Sequence, residues 1–227
     1  MAVRRGRLVR LAVHQHMAFL VAGLVTVALS LEAPGLSNVS SLAWHVSGHA
    51  LLVLVAPPLL LLGIPRALAW DAIPTPRRAR AVRMLTHPVF AAITSEVVVL
   101  GLHVPSFYTP LQHSVGWHTL EHLLLLVMGL LFWWPVVEPL PVWSRYGWVW
   151  KIVYLFISRI PMLLLGVVLL FSHSLLYQRD AFLGRAVSDG IREQQLTGAM
   201  IVLATTVVLA VALGAIVIPR LARASGE

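Results

Sequence analysis

The chain has 227 residues, of which 59% are hydrophobic and only 11% charged, with a formal net charge of +8. The charged share is less than half of the roughly 25% that a soluble domain carries, which excludes a water-soluble domain, and the arginines cluster in short connections beside apolar runs, a topology signal and not a nucleic-acid stripe. The absence of cysteine removes disulfides, thiolate metal sites, Cys-ligated iron–sulfur clusters and covalently attached c-type haem.

A membrane-crossing helix needs about twenty mostly apolar residues. Six such stretches are predicted, near 8–31, 42–63, 88–104, 115–137, 149–171 and 196–218, giving an all-α bundle of six transmembrane helices in a single membrane domain, 1–227. The first begins with Arg4, Arg5, Arg7 and Arg10, and its small residues from Ala28 to Ala33 resemble a signal-peptide end; it is read as a retained span. Pro57-Pro58 interrupts the second, where missing amide donors kink or end a helix; a structural kink is the simpler reading. The third to sixth spans follow with short connections.

The basic residues decide the orientation. The amino-terminal arm carries four arginines, five lie from Arg66 to Arg83, Arg145 and Lys151 occupy the next connection on that side, and Arg220 and Arg223 lie in the tail. The other side has none from Glu32 to Ser41 or from Pro105 to Val115, and its Arg179, Arg185 and Arg192 are offset by Asp180, Asp189 and Glu193. The positive-inside rule puts both termini in the cytoplasm, and Trp44, Trp117, Trp133, Trp134, Trp143, Trp148 and Trp150 near span ends read as interfacial belts.

On that topology seven of the ten histidines reach the outer boundary. His45 and His49 open the second span, His118 and His122 open the fourth, and each pair is spaced i,i+4, which places both rings on one helix face. His103, His113 and His173 lie at the same level in the third span, a loop and the end of the fifth. Polar groups in a bilayer are costly and usually functional, so these seven are the candidate metal ligands. Imidazole suits zinc, copper, nickel or iron. Met200 would add a thioether that favours Cu(I), although methionine also serves as ordinary packing. His14 and His16 diverge by about 200° on the first helix and share no ligand point. His87, before Pro88 in a basic loop, needs no more than a capping role. Glu96 and Arg159, each near mid-span, are expected to pair with each other.

His118-Thr-Leu-Glu121-His122 also matches H-x-x-E-H, the inverted zinc-protease signature, with Glu193 a conceivable third ligand in an outer loop. Only three residues are fixed by that pattern. Glu121 lies about 60° from His118 and 100° from His122 on a helix, the position of a carboxylate that orients an imidazole.

Further blocks carry a family resemblance: His45-Val-Ser-Gly-His49 followed by Leu51-Leu-Val-Leu-Val-Ala-Pro-Pro-Leu-Leu-Leu-Leu-Gly-Ile-Pro65, Leu102-His-Val-Pro-Ser-Phe-Tyr108, Phe132-Trp-Trp-Pro-Val-Val137 and Glu193-Gln-Gln-Leu-Thr-Gly198. In these the chain resembles the CtaG family of bacterial cytochrome c oxidase assembly proteins, the multi-span kind that serves caa-type oxidases. It departs at Val46, where the family has methionine, and at Glu193 and Thr197, where it has Asp and Gly. Longer members also carry a leading span. The resemblance implies a copper-handling assembly factor, not an enzyme, working at the outer face of the bacterial plasma membrane. Its cargo would be Cu(I) or Cu(II), and its partners oxidase subunits or other copper chaperones, with the lipid bilayer around it and no nucleic acid. Two other readings stay open: a b-type haem subunit of a respiratory complex, since paired histidines on neighbouring helices ligate haem, and a membrane metallohydrolase built on His118, Glu121 and His122.

Overall fold

The computed structural model describes residues 2–31, 42–65, 75–104, 115–139, 146–177 and 187–225. All regular structure among them is helical: α1 (Ala2–Ser30), α2 (Leu42–Ala50), a π-helical turn (Leu51–Val55), α3 (Ala56–Gly63), α4 (Pro76–Leu85), α5 (Pro88–Leu102), α6 (Val115–Val137), α7 (Trp148–Phe171) and α8 (Val187–Ala224). Five helices or helical runs are long and apolar enough to cross a membrane, and α4 with α5, bent by 58° at their junction, makes a sixth when counted as one. This is an all-helical, multi-pass membrane protein.

The third span differs most from expectation. Its helix α5 has 15 residues and is therefore about 22 Å long, short of the ~30 Å hydrocarbon core. The basic connection before it is not a plain loop but a helix, α4, started by Thr75, whose hydroxyl accepts from the Arg78 amide at 3.4 Å, and by Pro76 in the first turn. No residue of α4 is buried. His87 precedes α5 as expected, but its side chain makes no cap; its carbonyl receives the Ala91 amide at 2.8 Å.

Pro57-Pro58 neither ends nor simply kinks the second span. Proline at 57 and 58 removes the amides that would have bonded the carbonyls of residues 53 and 54. The chain responds by widening into the π-turn, in which the Ala56 amide reaches back to the Leu51 carbonyl. The Val53 carbonyl is satisfied from another helix, by the indole N–H of Trp133 at 3.1 Å. Trp133 is thus a buried core residue and not part of an interfacial belt, unlike the exposed Trp44, Trp117 and Trp148. Gly129 lets α6 come this close: a Cβ there would lie 2.5 Å from Pro57 Cγ and 2.9 Å from the Leu52 carbonyl oxygen.

Among the described residues, three apolar clusters form the interior. Leu52, Val53, Leu54, Val99 and Leu125 pack around the π-turn; Leu61, Phe132, Trp133, Tyr154, Leu155 and Leu209 fill one end; Leu42, Val46, Leu169, Tyr177 and Ile201 fill the other. Helix α1 packs on α3, where a Cβ on Gly63 would sit 2.8 Å from the Leu20 Cα. The outward faces of the helices carry exposed Ile, Leu, Val and Phe, as lipid contact requires.

Candidate metal centre

The seven candidate ligands divide sharply in space. His45 and His49 stand one turn apart on α2 with ring centroids 4.1 Å apart, and His118 and His122 repeat the arrangement on α6 at 4.3 Å. The pairs face each other. His45 lies 5.2 Å from His118 and 6.1 Å from His122, and His49 lies 5.1 Å from His122, centroid to centroid. One ligand nitrogen from each of His45, His49 and His122 falls within 4.8 Å of the others, as do the ligand atoms of His45, His118 and Glu121. These are two overlapping metal-spaced groups joined at His45. His45, His49, His122 and Glu121 are buried, whereas the His118 side chain is 25% exposed and opens the group to the outside of the bundle.

Glu121 approaches one histidine of each pair. It is 1% exposed, and its oxygens lie 3.8 Å from His49 Nε2 and 3.5 Å from His118 Nδ1. Neither carboxylate oxygen makes a hydrogen bond, and neither does either ring nitrogen of His49. A buried carboxylate costs several kcal/mol unless a cation or strong donors answer it. Its signal was present in the chain as the Glu of H-x-x-E-H. The helix angle alone could not show that α2 supplies imidazoles on its other side.

His103 is adjacent but differently held. Its ring centroid is 5.8 Å from that of His49, and its Nδ1–H donates to the Val99 carbonyl at 2.7 Å. It belongs to neither metal-spaced group. His173 is exposed and likewise outside both groups, and His113 lies outside the described residues. Met200 Sδ lies 3.7 Å from the Ser47 hydroxyl, which donates to the Ala43 carbonyl at 2.6 Å. Ser47 is about 200° around α2 from both His45 and His49, so the thioether sits on the opposite face of that helix from the imidazoles. His16 donates to the Leu62 carbonyl at 2.9 Å, an interhelical tie and not a ligand.

Glu193 corrects another expectation. It sits within α8, not in a loop, and its carboxylate accepts from the Ala43 amide at 3.3 Å, in the first turn of α2. A carboxylate at a helix N-terminus is stabilised by the unpaired amides and the dipole there. The cap fixes the start of the helix that carries His45 and His49.

With this geometry in place, comparison with known families is decisive: a model described as cytochrome c oxidase caa3 assembly factor (Caa3_CtaG) matches residues 1–223. The chain belongs to that family. Comparison with curated proteins and with solved structures gives no match.

The blocks that resemble the caa3 assembly factors acquire physical roles here. In Phe132-Trp-Trp-Pro, Trp133 seals the π-turn, the Phe132 ring lies 3.4 Å beneath the Arg159 guanidinium, and the Phe132 carbonyl accepts from the Tyr154 hydroxyl at 2.8 Å. In Glu193-Gln-Gln-Leu-Thr-Gly, Glu193 caps α2. Gln194 donates to the Ser174 carbonyl and accepts from the Leu176 amide, and Gln195 donates to the Ser172 carbonyl. The segment after α7 is thereby clamped to α8, and Gly198 lets the two helices touch: a Cβ there would lie 2.5 Å from the Gly166 carbonyl oxygen. From that clamped segment Tyr177 donates to the His103 carbonyl at 2.8 Å; burial pushes its hydroxyl pKa up to about 12, so it stays a donor at any physiological pH.

Proposed function

We propose that this assembly factor binds copper in the His45, His49, His118, Glu121 and His122 cluster and delivers it to a cytochrome c oxidase during maturation. The observation that carries the reading is the buried, unbonded Glu121 carboxylate surrounded by imidazoles at ligand spacing. Five nitrogen and oxygen donors with one negative charge fit a borderline metal ion, and the carboxylate supplies the compensation a buried dication needs. Copper here is cargo. The exposed edge at His118 is where a donor or acceptor protein would exchange it, while His45, His49 and His122 hold it away from water.

Two further parts of the reading rest on sequence distribution. The arginine-rich connections argue that both termini face the cytoplasm, and the cluster lies at the opposite ends of the helices, toward the outside of a bacterial plasma membrane. The assembly role of the family argues for transfer of a metal and against hydrolysis. Haem fares poorly: imidazole centroids only 4.1–6.1 Å apart leave no slot for a planar macrocycle between them.

Metal content and an absorption spectrum of gently purified protein test this in one step. We expect copper in stoichiometric amount and no Soret band, with the copper lost in a His49→Ala, His122→Ala double variant. A Soret band would replace the copper reading with a haem one. Glu121→Gln separates the hydrolase reading, which requires complete loss of any hydrolytic activity in that variant.

A further inference from the structure

Beyond the metal cluster, toward the middle of the bundle, His49, His103, Arg159 and Thr205 are among the residues that line a small cavity of about 20 Å³. Each of these four brings at least one orphaned polar atom. The Nε2 of His103, the Nε and Nη2 of Arg159, the Thr205 hydroxyl and both ring nitrogens of His49 are buried without hydrogen-bond partners. All four residues are more than nine-tenths buried. Four unrelated helices bring them together: α2, the end of α5, α7 and α8.

Buried polar groups are almost always satisfied by protein or by ordered water, and a pocket of this size admits one water that needs two to four polar partners. We infer that the cavity is a binding site for a single structural water that joins Arg159 and Thr205 to His103 and His49. The hydrogen-bond roles follow from the chemistry of each group. His103 gives its Nδ1 proton to the Val99 carbonyl at 2.7 Å, so its Nε2 is an acceptor only. Arg159 is a donor only, and Thr205 is both. A water accepting from the guanidinium and from the Thr205 hydroxyl, and donating to His103 Nε2 and His49 Nδ1, reaches all four residues with its four hydrogen bonds.

This assigns His103 a positioning role and not a place among the ligands. Its imidazole anchors the water, and the water orients His49 from behind while His49 Nε2 faces Glu121. The same water links the metal cluster to the mid-membrane pair Glu96–Arg159, whose nitrogen and oxygen are 3.2 Å apart. The role for His49 rests on the copper reading; the water site does not.

Selective ¹⁵N labelling of histidine in the metal-free, full-length protein in lipid nanodiscs tests the water directly. We expect a long-lived water cross-peak to the His103 ring and an Nε2 resonance typical of a hydrogen-bonded, unprotonated nitrogen. Thr205→Val, which keeps shape and removes the hydroxyl, should move that resonance downfield, and Thr205→Ser should restore it. A water-free His103 with an identical resonance in folded wild-type and Thr205→Val protein would overturn the site. Copper titration of the same preparations tests the positioning role: His103→Ala should keep the wild-type stoichiometry with affinity about tenfold weaker. Loss of a whole equivalent of copper in His103→Ala would make it a ligand. A wild-type protein that takes no copper would end the copper reading and leave the water to be judged by the spectra alone.

Discussion

At the scale of single residues, Glu121 concentrates the electrostatic problem of the bundle. Its carboxylate is 1% exposed and unbonded, with imidazoles at 3.5 and 3.8 Å. Without a cation it is a burden on stability; with one it is the group that makes binding favourable. Those opposite signs make a sharp prediction for Glu121→Gln, which keeps shape and removes the charge. The metal-free variant should melt at or above the wild-type temperature, since an uncompensated buried carboxylate is gone. Its copper affinity should fall by about 10- to 100-fold, or ~1.4–2.7 kcal/mol. Thermal unfolding without metal and chelator competition with it read the two effects separately, and a variant that melts lower and binds equally well would contradict both. The chain itself showed the His45/His49 and His118/His122 pairs, because i,i+4 spacing is a property of one helix. It did not show that the pairs oppose each other with Glu121 between them, since that depends on how α2 and α6 are rotated against one another. For the same reason His103 and His173, alike in sequence depth, end up buried beside His49 and exposed, respectively.

At the scale of elements, the π-turn shapes the helix that carries half of the cluster. Pro57-Pro58 announced a disturbance in the sequence. The remedy was hidden, because the donor that answers the Val53 carbonyl is Trp133, 80 residues away. Trp133→Phe preserves most of the packing and leaves that carbonyl buried and unbonded, at a cost of about 1–3 kcal/mol. Gly129→Ala drives a methyl into Pro57 and the Leu52 carbonyl, which cannot move without reshaping the π-turn, and should cost a similar 1–3 kcal/mol. Both variants should lower the unfolding temperature of detergent-purified protein, whereas Gly101→Ala, helical and with open space around its Cβ, should leave it unchanged or raise it slightly. Equal melting of Gly129→Ala and Gly101→Ala would show that α6 does not depend on this close approach.

At the scale of the whole molecule, the weak point is α5, too short to span alone and bent away from α4 by 58°. Its charged tie to the bundle lies at mid-depth: Glu96 meets Arg159 of α7 at 3.2 Å, and the guanidinium rests on Phe132 of α6 at 3.4 Å. The pairing was legible in the sequence, because two isolated charges at mid-span have few affordable alternatives. The participation of Phe132 was not, since an aromatic beside proline carries no mark of its partner. A buried pair is strongly interdependent: removing one partner strands the other at about 3–5 kcal/mol, while replacing both with apolar groups of similar volume is often neutral or better. Arg159→Met should therefore lose most folded protein, Glu96→Gln somewhat less, and the Glu96→Gln, Arg159→Met double variant should recover much of the loss of Arg159→Met. Yield of monodisperse protein and thermal unfolding of the four proteins complete the double-mutant cycle, and purely additive losses would mean that the two charges stabilise the bundle independently. The double variant also separates architecture from chemistry. If Arg159 serves only to hold α5, the rescued protein should bind copper as wild type does; if its guanidinium also reaches His49 and His103 through the buried cavity, the bundle recovers while copper affinity stays reduced.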